Sequence, residues 1–234
     1  MVWNGEYEPE YSRLLLDLAT VYGTTIYDVG ANVGLIGVPL ARELGPDGFV
    51  ACFEPVASNV ERLRTNIELN HLANCRVFPV ALGSGEGTVQ LAREAGGGAT
   101  TGNAVIMPSG DRPRNTEMSA VPLTRLDTVV ASDQLPLPDV IKLDVEGSEV
   151  GFLIGAEETI EASRPIILGE FNSSLMPTFG TDFVDAYRCL PGEYSVFAFA
   201  GGDVLEERVP EKGLGDVLLV PREKVDRLPR ATRG

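Results

Sequence analysis

Four short apolar runs in this chain each end at a carboxylate, and helix-like segments lie between them. Asp28 closes Thr25 to Val29, Glu54 follows Phe49 to Phe53, Asp144 lies near the end of Val140 to Val145, and Glu170 ends Pro165 to Glu170. Continuous apolar strands of this length suit a sheet buried on both faces. Their alternation with helical spacing predicts an α/β fold with a mostly parallel sheet and helices on either side. Ligands of such sheets bind beyond the carboxyl ends of the strands, so the four acids mark the rim to interrogate.

The intervening pattern fills in the rest. Leu14, Leu18, Val21 and Tyr22 recur at helical spacing within an N-terminal helical segment over residues 1–24. Helices are expected over Val33 to Leu44, with Pro39 as a possible kink, and over Ser58 to Leu72, Ser148 to Ala162 and Asp182 to Leu190. Arg76 to Leu82 reads as a third strand. Tyr194 to Ala200 and Asp216 to Val220 read as a closing antiparallel hairpin. Residues 83–120, rich in Gly, Thr, Ser and Pro, read as an inserted hairpin and loop between the third and fourth strands, with a strand at Thr88 to Leu91. The expectation is a single domain over residues 1–220, followed by a frayed tail over 221–234.

Composition narrows the function classes. With 34 acidic and 19 basic side chains the chain carries a formal charge of −15, which opposes binding to a phosphate backbone and argues against nucleic-acid partners. No run reaches the length of a membrane helix, and the acidic start is unlike a secretory signal, so a cytoplasmic protein without membrane partners is expected. Cys52, Cys75 and Cys189 lack Cys-x-x-Cys spacing and read as buried hydrophobes in a reducing compartment. The single histidine, His71, has no Gly-x-Ser-x-Gly elbow to serve and reads as structural or exposed. Sixteen arginines against three lysines hint at a bacterial source and specialised metabolism.

The loop Asp28-Val29-Gly30-Ala31-Asn32-Val33-Gly34 joins the first strand to its helix, and Glu54 follows Gly34 by twenty residues. An acid at that distance is placed to accept hydrogen bonds from ribose hydroxyls. Asn32 stands where a second glycine would admit a pyrophosphate, and no Gly-Lys-Ser/Thr follows, so a nucleoside without phosphates fits better. S-adenosylmethionine is such a ligand, and its cationic sulfonium suits an acid-lined crevice. Singly, each acid could instead cap the next helix, an explanation that suits Asp better than Glu.

The same residues resemble the FkbM family of S-adenosylmethionine-dependent methyltransferases. The blocks are Tyr27 to Gly34, Phe53-Glu54-Pro55 with Asn59 and Asn66, Ala81-Leu82-Gly83, Leu123 to Asp127, and Ile141 to Glu149. The resemblance covers roughly Ile26 to Glu170. It implies a Rossmann-like class I methyltransferase fold, with a seven-stranded sheet, and methylation of a hydroxyl on a sugar or natural-product scaffold. It further implies that Asp28, Gly30, Asn32 and Gly34 cradle the methionine part, with Ala31 in the same loop. Glu54, followed by Pro55, would hold the ribose, and Ala81 and Leu82 would border the adenine.

In-line methyl transfer to an alcohol calls for alignment and for a carboxylate that takes the proton. Asp144 is the first candidate for that base and Glu170 the second. Lys142 could stabilise a developing alkoxide, although pairing with one of the acids is the preferred reading. Asp144, Glu170 and Asn172 could together hold Mg²⁺, against a preferred reading as a plain acid–amide network. An aliphatic amine acceptor stays open. Two rival functions remain at this level: an NAD-dependent oxidoreductase, disfavoured by Asn32 and by the lack of a Tyr-x-x-x-Lys pair, and a non-catalytic nucleoside-binding domain.

Overall fold

A computed structural model describes residues 9–94, 105–106, 116–200, 203–208 and 216–228. The elements in order are α1 (Pro9–Tyr22), β1 (Thr25–Val29), α2 (Gly37–Leu44), β2 (Phe49–Phe53), α3 (Ala57–Leu69), β3 (Cys75–Phe78) and β4 (Ala81–Leu82). The insertion supplies β5 (Gly87–Glu94), β6 (Val105–Ile106) and β7 (Thr116–Thr124). Then follow α4 (Leu126–Asp133), β8 (Val140–Leu143), α5 (Glu149–Gly155), α6 (Glu157–Ser163), β9 (Ile166–Glu170), a 3-10 turn Met176–Phe179 and α7 (Phe183–Arg188). Strands β10 (Tyr194–Ala200), β11 (Asp203–Arg208) and β12 (Asp216–Pro221) lead to a 3-10 turn Arg222–Arg227.

The main sheet runs β11-β10-β12-β9-β8-β1-β2-β3. Strands β3, β2, β1, β8 and β9 are parallel, while β12 and β10 pair antiparallel. Side-chain alternation splits the core into two layers. Tyr27, Val29, Ala51, Phe53, Ile141, Leu143 and Ile167 face the side packed by α4 to α7. Ile26, Val50, Cys52, Val140, Ile166 and Leu168 face the side packed by α1, α2 and α3. The chain crosses from β3 over β1 to β8, so the strand order reverses between β1 and β8, and a crevice opens at their carboxyl ends.

Several sequence expectations need correction. The sheet has eight strands rather than seven, because β11 adds an outer edge to β10. The expected strand over Arg76 to Leu82 is broken: β3 stays in the main sheet, whereas β4 joins a second sheet of order β4-β7-β5-β6 built from the insertion. The helix expected from Val33 starts only at Gly37, since Gly30, Asn32 and Gly34 all take positive φ. Pro39 therefore falls in the first turn, where its missing N–H costs little, and no kink is needed. The helix expected over Ser148 to Ala162 is two helices, hinged at Ala156 with φ −116° and ψ 8°.

Part of the expected frayed tail is tied down. The Tyr22 hydroxyl donates to the Lys224 carbonyl at 2.7 Å, and the Arg227 guanidinium lies 5.2 Å from the Tyr22 ring centre. The Arg164 guanidinium pairs with Glu223 at 3.0 Å. Residues 229–234 lie outside the described residues. No helix among the described residues is long and apolar enough to cross a membrane.

Candidate active site

The loop after β1 is shaped by close backbone approaches. Gly30 has φ +79°, and a Cβ there would land on the Asp144 carbonyl oxygen. The Gly30 and Ala31 amides both donate to the Phe53 carbonyl at 3.0 Å, locking the loop to the tip of β2. Asn32 has φ +51°, a left-handed conformation that Asn tolerates better than most residues, so no glycine is required at that position. A Cβ on Gly34 would strike Leu63, and Asn66 Nδ2 donates to the Val33 carbonyl at 2.9 Å from the α3 side.

Glu54 knits this loop to the start of α3. Its Oε1 accepts from the Val56 amide at 2.9 Å and Asn59 Nδ2 at 3.2 Å, and its Oε2 accepts from the Asn32 amide at 2.9 Å. Burial pushes its pKa up, and the donors of Val56, Asn32 and Asn59 pull it back. A carboxylate has about four acceptor positions, so one on Oε2 is left over.

One strand away, the parallel register sets Lys142 beside Asp28. Lys142 Nζ lies 3.6 Å from Asp28 Oδ1 and 3.2 Å from Asp144 Oδ2, and donates to the Gly30 carbonyl at 3.3 Å. Asp28 is fully buried under Gly37, and burial raises its pKa against the opposing pull of Lys142. These two residues brace the loop from behind.

Strand β8 stops at Leu143, and residues 144–148 turn across the rim. Glu146 takes φ +52° and Gly147 φ +100°, where a Cβ on Gly147 would crowd Phe179 and Leu175. Half-buried Glu146 has its pKa pushed up to about 7, chiefly by burial and then by the charges of Asp144 and Glu170, with Lys142 opposing. Glu149 is fully buried at the first turn of α5, accepts from the Gly147 amide at 2.9 Å, and also has a pKa raised to about 7, mainly by burial.

These elements line an open cleft at the carboxyl ends of the strands, where ligands of such sheets bind. Of the residues expected around a cofactor, Gly30, Asn32, Glu54, Pro55, Ala81 and Leu82 line it. Asp28, Ala31 and Gly34 do not; they support the loop instead. Of the expected bases, Asp144 lines the cleft, whereas Glu170 and Lys142 do not. Of the residues considered for Mg²⁺ with Asp144 and Glu170, Asn172 accepts through Oδ1 from the Ser174 and Leu175 amides at 3.0 and 3.1 Å. Sequence reasoning did not single out Glu146 and Ser148 as site residues, nor Leu91 and Ile106, which bring the second sheet against the cleft. The signal that could have found Glu146 is the run of charges Lys142, Asp144 and Glu146 on one side of the expected strand, costly unless paired or used.

The fold and its crevice define a Rossmann-like class I methyltransferase architecture. A methyltransferase FkbM from Methylobacillus flagellatus KT superposes with a TM-score of 0.51 over 84% of this chain and 43% of that one, at 18% identity. An O-methyltransferase from Bacillus cereus, in complex with SAH, gives a TM-score of 0.51 over 91% of this chain and 80% of that one, at 14% identity. The methyltransferase FkbM domain profile matches residues 28–195, and the chain belongs to that family. Hexuronic acid methyltransferase AglP of Haloferax volcanii is 26% identical over 161 residues, a match that spans 69% of this chain and 61% of the relative.

Proposed function

We propose that this chain is an S-adenosylmethionine-dependent O-methyltransferase that acts on a hydroxyl of a small molecule, in the sugar or natural-product class. The observation that carries the reading is Glu54 at the β2 tip, buried, bound to the glycine loop through Asn32, lining the cleft and left with one acceptor position. The residues present fit the cofactor. Glu54 would accept from a ribose hydroxyl, and Ala81 and Leu82 offer apolar surface to an adenine. Asn32 Oδ1, which is buried and has no hydrogen-bond partner among the described residues, would accept from an ammonium group. S-adenosylmethionine, once bound, supplies an electrophilic methyl group on a cationic sulfur.

The chain's own contribution is alignment and proton removal. The rim carboxylates offer negative charge to the sulfonium, and one of them takes the proton of the attacking hydroxyl. A small hydroxylated acceptor also suits the charge of −15, which opposes a nucleic-acid substrate. The name of the Haloferax relative supports a sugar acid as the first acceptor class to try.

Calorimetric titration with S-adenosylmethionine and with NAD, on wild type and Glu54→Gln, tests the reading. Saturable binding of S-adenosylmethionine, weakened at least tenfold by the substitution, is expected. Binding of NAD alone, or of neither, refutes it.

A further inference from the structure

We propose that Glu146, rather than Asp144, is the carboxylate that receives the acceptor's hydroxyl proton, and that Asp144 is a positioning residue held by Lys142. The proposal rests on the methyltransferase reading and adds the identity of the base. Three acids meet at this rim, and their surroundings separate them. Asp144 gives its Oδ2 to Lys142 at 3.2 Å, and that same ammonium holds the Gly30 carbonyl. Glu170, at the tip of β9, does not line the cleft. Glu146 does line it, and its carboxylate has no hydrogen bond or ion pair among the described residues, which leaves both oxygens available to a ligand.

The backbone supports this assignment. Glu146 sits at φ +52°, sparsely populated for a side chain of its kind, and such strain collects at functional sites. The neighbouring Gly147, at φ +100°, packs so closely against Leu175 and Phe179 that a Cβ there would crowd both. Had β8 continued its alternation, Glu146 would have projected on the same face as Lys142 and Asp144; the turn instead presents it separately.

In the reaction the acceptor O–H proton passes to the Glu146 carboxylate as the O–CH₃ bond forms and the S–CH₃ bond breaks. The products are the methyl ether, neutral S-adenosylhomocysteine and a protonated Glu146, which returns its proton to water. A base with a pKa of about 7 is well matched to that task.

The charged groups around Glu146 are Lys142 and Asp144 from the end of β8, Glu170 from β9 and Glu149 from α5. S-adenosylmethionine adds a cation beside them and S-adenosylhomocysteine does not, so comparing the two ligands isolates the carboxylate that faces the sulfur. A neighbouring cation lowers a carboxyl pKa by about one unit or more. Starting from about 7, S-adenosylmethionine should release about 0.4 proton more than S-adenosylhomocysteine at pH 7. The affinity ratio of the two ligands should change about fivefold between pH 8 and pH 6.

Calorimetry of the whole chain in buffers of different ionisation enthalpy reads both quantities without an acceptor. Glu146→Gln should abolish the excess release and Glu149→Gln should keep it, while Asp144→Asn, which removes a charge that raises the Glu146 pKa, should move the release to lower pH without abolishing it. Excess release that survives in Glu146→Gln, or that vanishes in Glu149→Gln instead, overturns the assignment. S-adenosylmethionine binding to wild type with no excess release also overturns it and leaves the methyltransferase reading intact; no binding at all defeats that reading itself.

Discussion

Replacing Lys142 with methionine keeps the volume of the side chain and removes the charge that Asp28 faces. Asp28 is fully buried and Lys142 is only 5% exposed, so solvent cannot replace the lost ammonium. Stranding a buried charge in this way costs about 3–5 kcal/mol. The second pairing, with Asp144, adds little, because that carboxylate is a third exposed. The variant is therefore expected to unfold about 3–5 kcal/mol more easily in urea at pH 7.5, followed by circular dichroism. The loss should shrink toward pH 5. Asp28 has a folded-state pKa raised above its unfolded value, so the native state holds the extra proton and gains stability as pH falls through that window. Adding Asp28→Asn removes the stranded charge and should bring the double variant within about 2 kcal/mol of wild type. A single variant within about 1 kcal/mol of wild type, or a double variant no better than the single, would refute the account of this pair as the brace behind the loop.

Three further outcomes are expected. In Glu54→Gln one oxygen becomes an amide that faces the Val56, Asn59 or Asn32 donors, so besides weaker ligand binding the midpoint of chemical unfolding should fall by the equivalent of about 1–3 kcal/mol. Asp127→Ala should destabilise by about 1–2 kcal/mol. Ala156 cannot cap α6, and Asp127 accepts from the Glu158 and Thr159 amides in its place while pairing with Arg125; an unchanged melting temperature would contradict this. Glu149, with its pKa raised from 4.5 to about 7, makes wild-type stability decline as pH rises from about 5 to 8. The decline should be on the order of 2–3 kcal/mol, and Glu149→Gln should flatten much of it in urea titrations across that range.

Much of the fold was legible because apolar periodicity survives into the structure with small boundary shifts. The runs at Thr25, Phe49, Val140 and Ile166 are the central parallel strands, since residues buried on both faces must be apolar whatever their partners. The boundaries failed where a tertiary contact overrides local preference. Gly34 and Asn32 keep residues 30–36 out of helix because the loop must pass over the tip of β8 and against Leu63. Ala81 and Leu82 leave the main sheet because β7 offers them a parallel partner. The six residues of β11 gave no clear apolar signal, as expected of an edge strand paired on one side only.

The site divides in the same way. Chain order alone put Gly30, Asn32, Glu54, Ala81, Leu82 and Asp144 at strand ends, and strand ends converge in any parallel sheet of this handedness. Which acid is engaged and which is available depends on a register and on one turn. Lys142 stands beside Asp28 because β1 and β8 pair in that phase, and Glu146 leaves the strand's face because β8 stops at Leu143 and the chain turns at Glu146 and Gly147, both at positive φ. The sequence by itself determined the sheet, its helices and the rim on which the carboxylates gather, because burial acts on every residue of a strand alike. Only the tertiary structure decided that Asp28 and Lys142 form a buried brace while Glu146 faces the cleft, because charge pairing and desolvation act over a few ångströms between residues far apart in the chain.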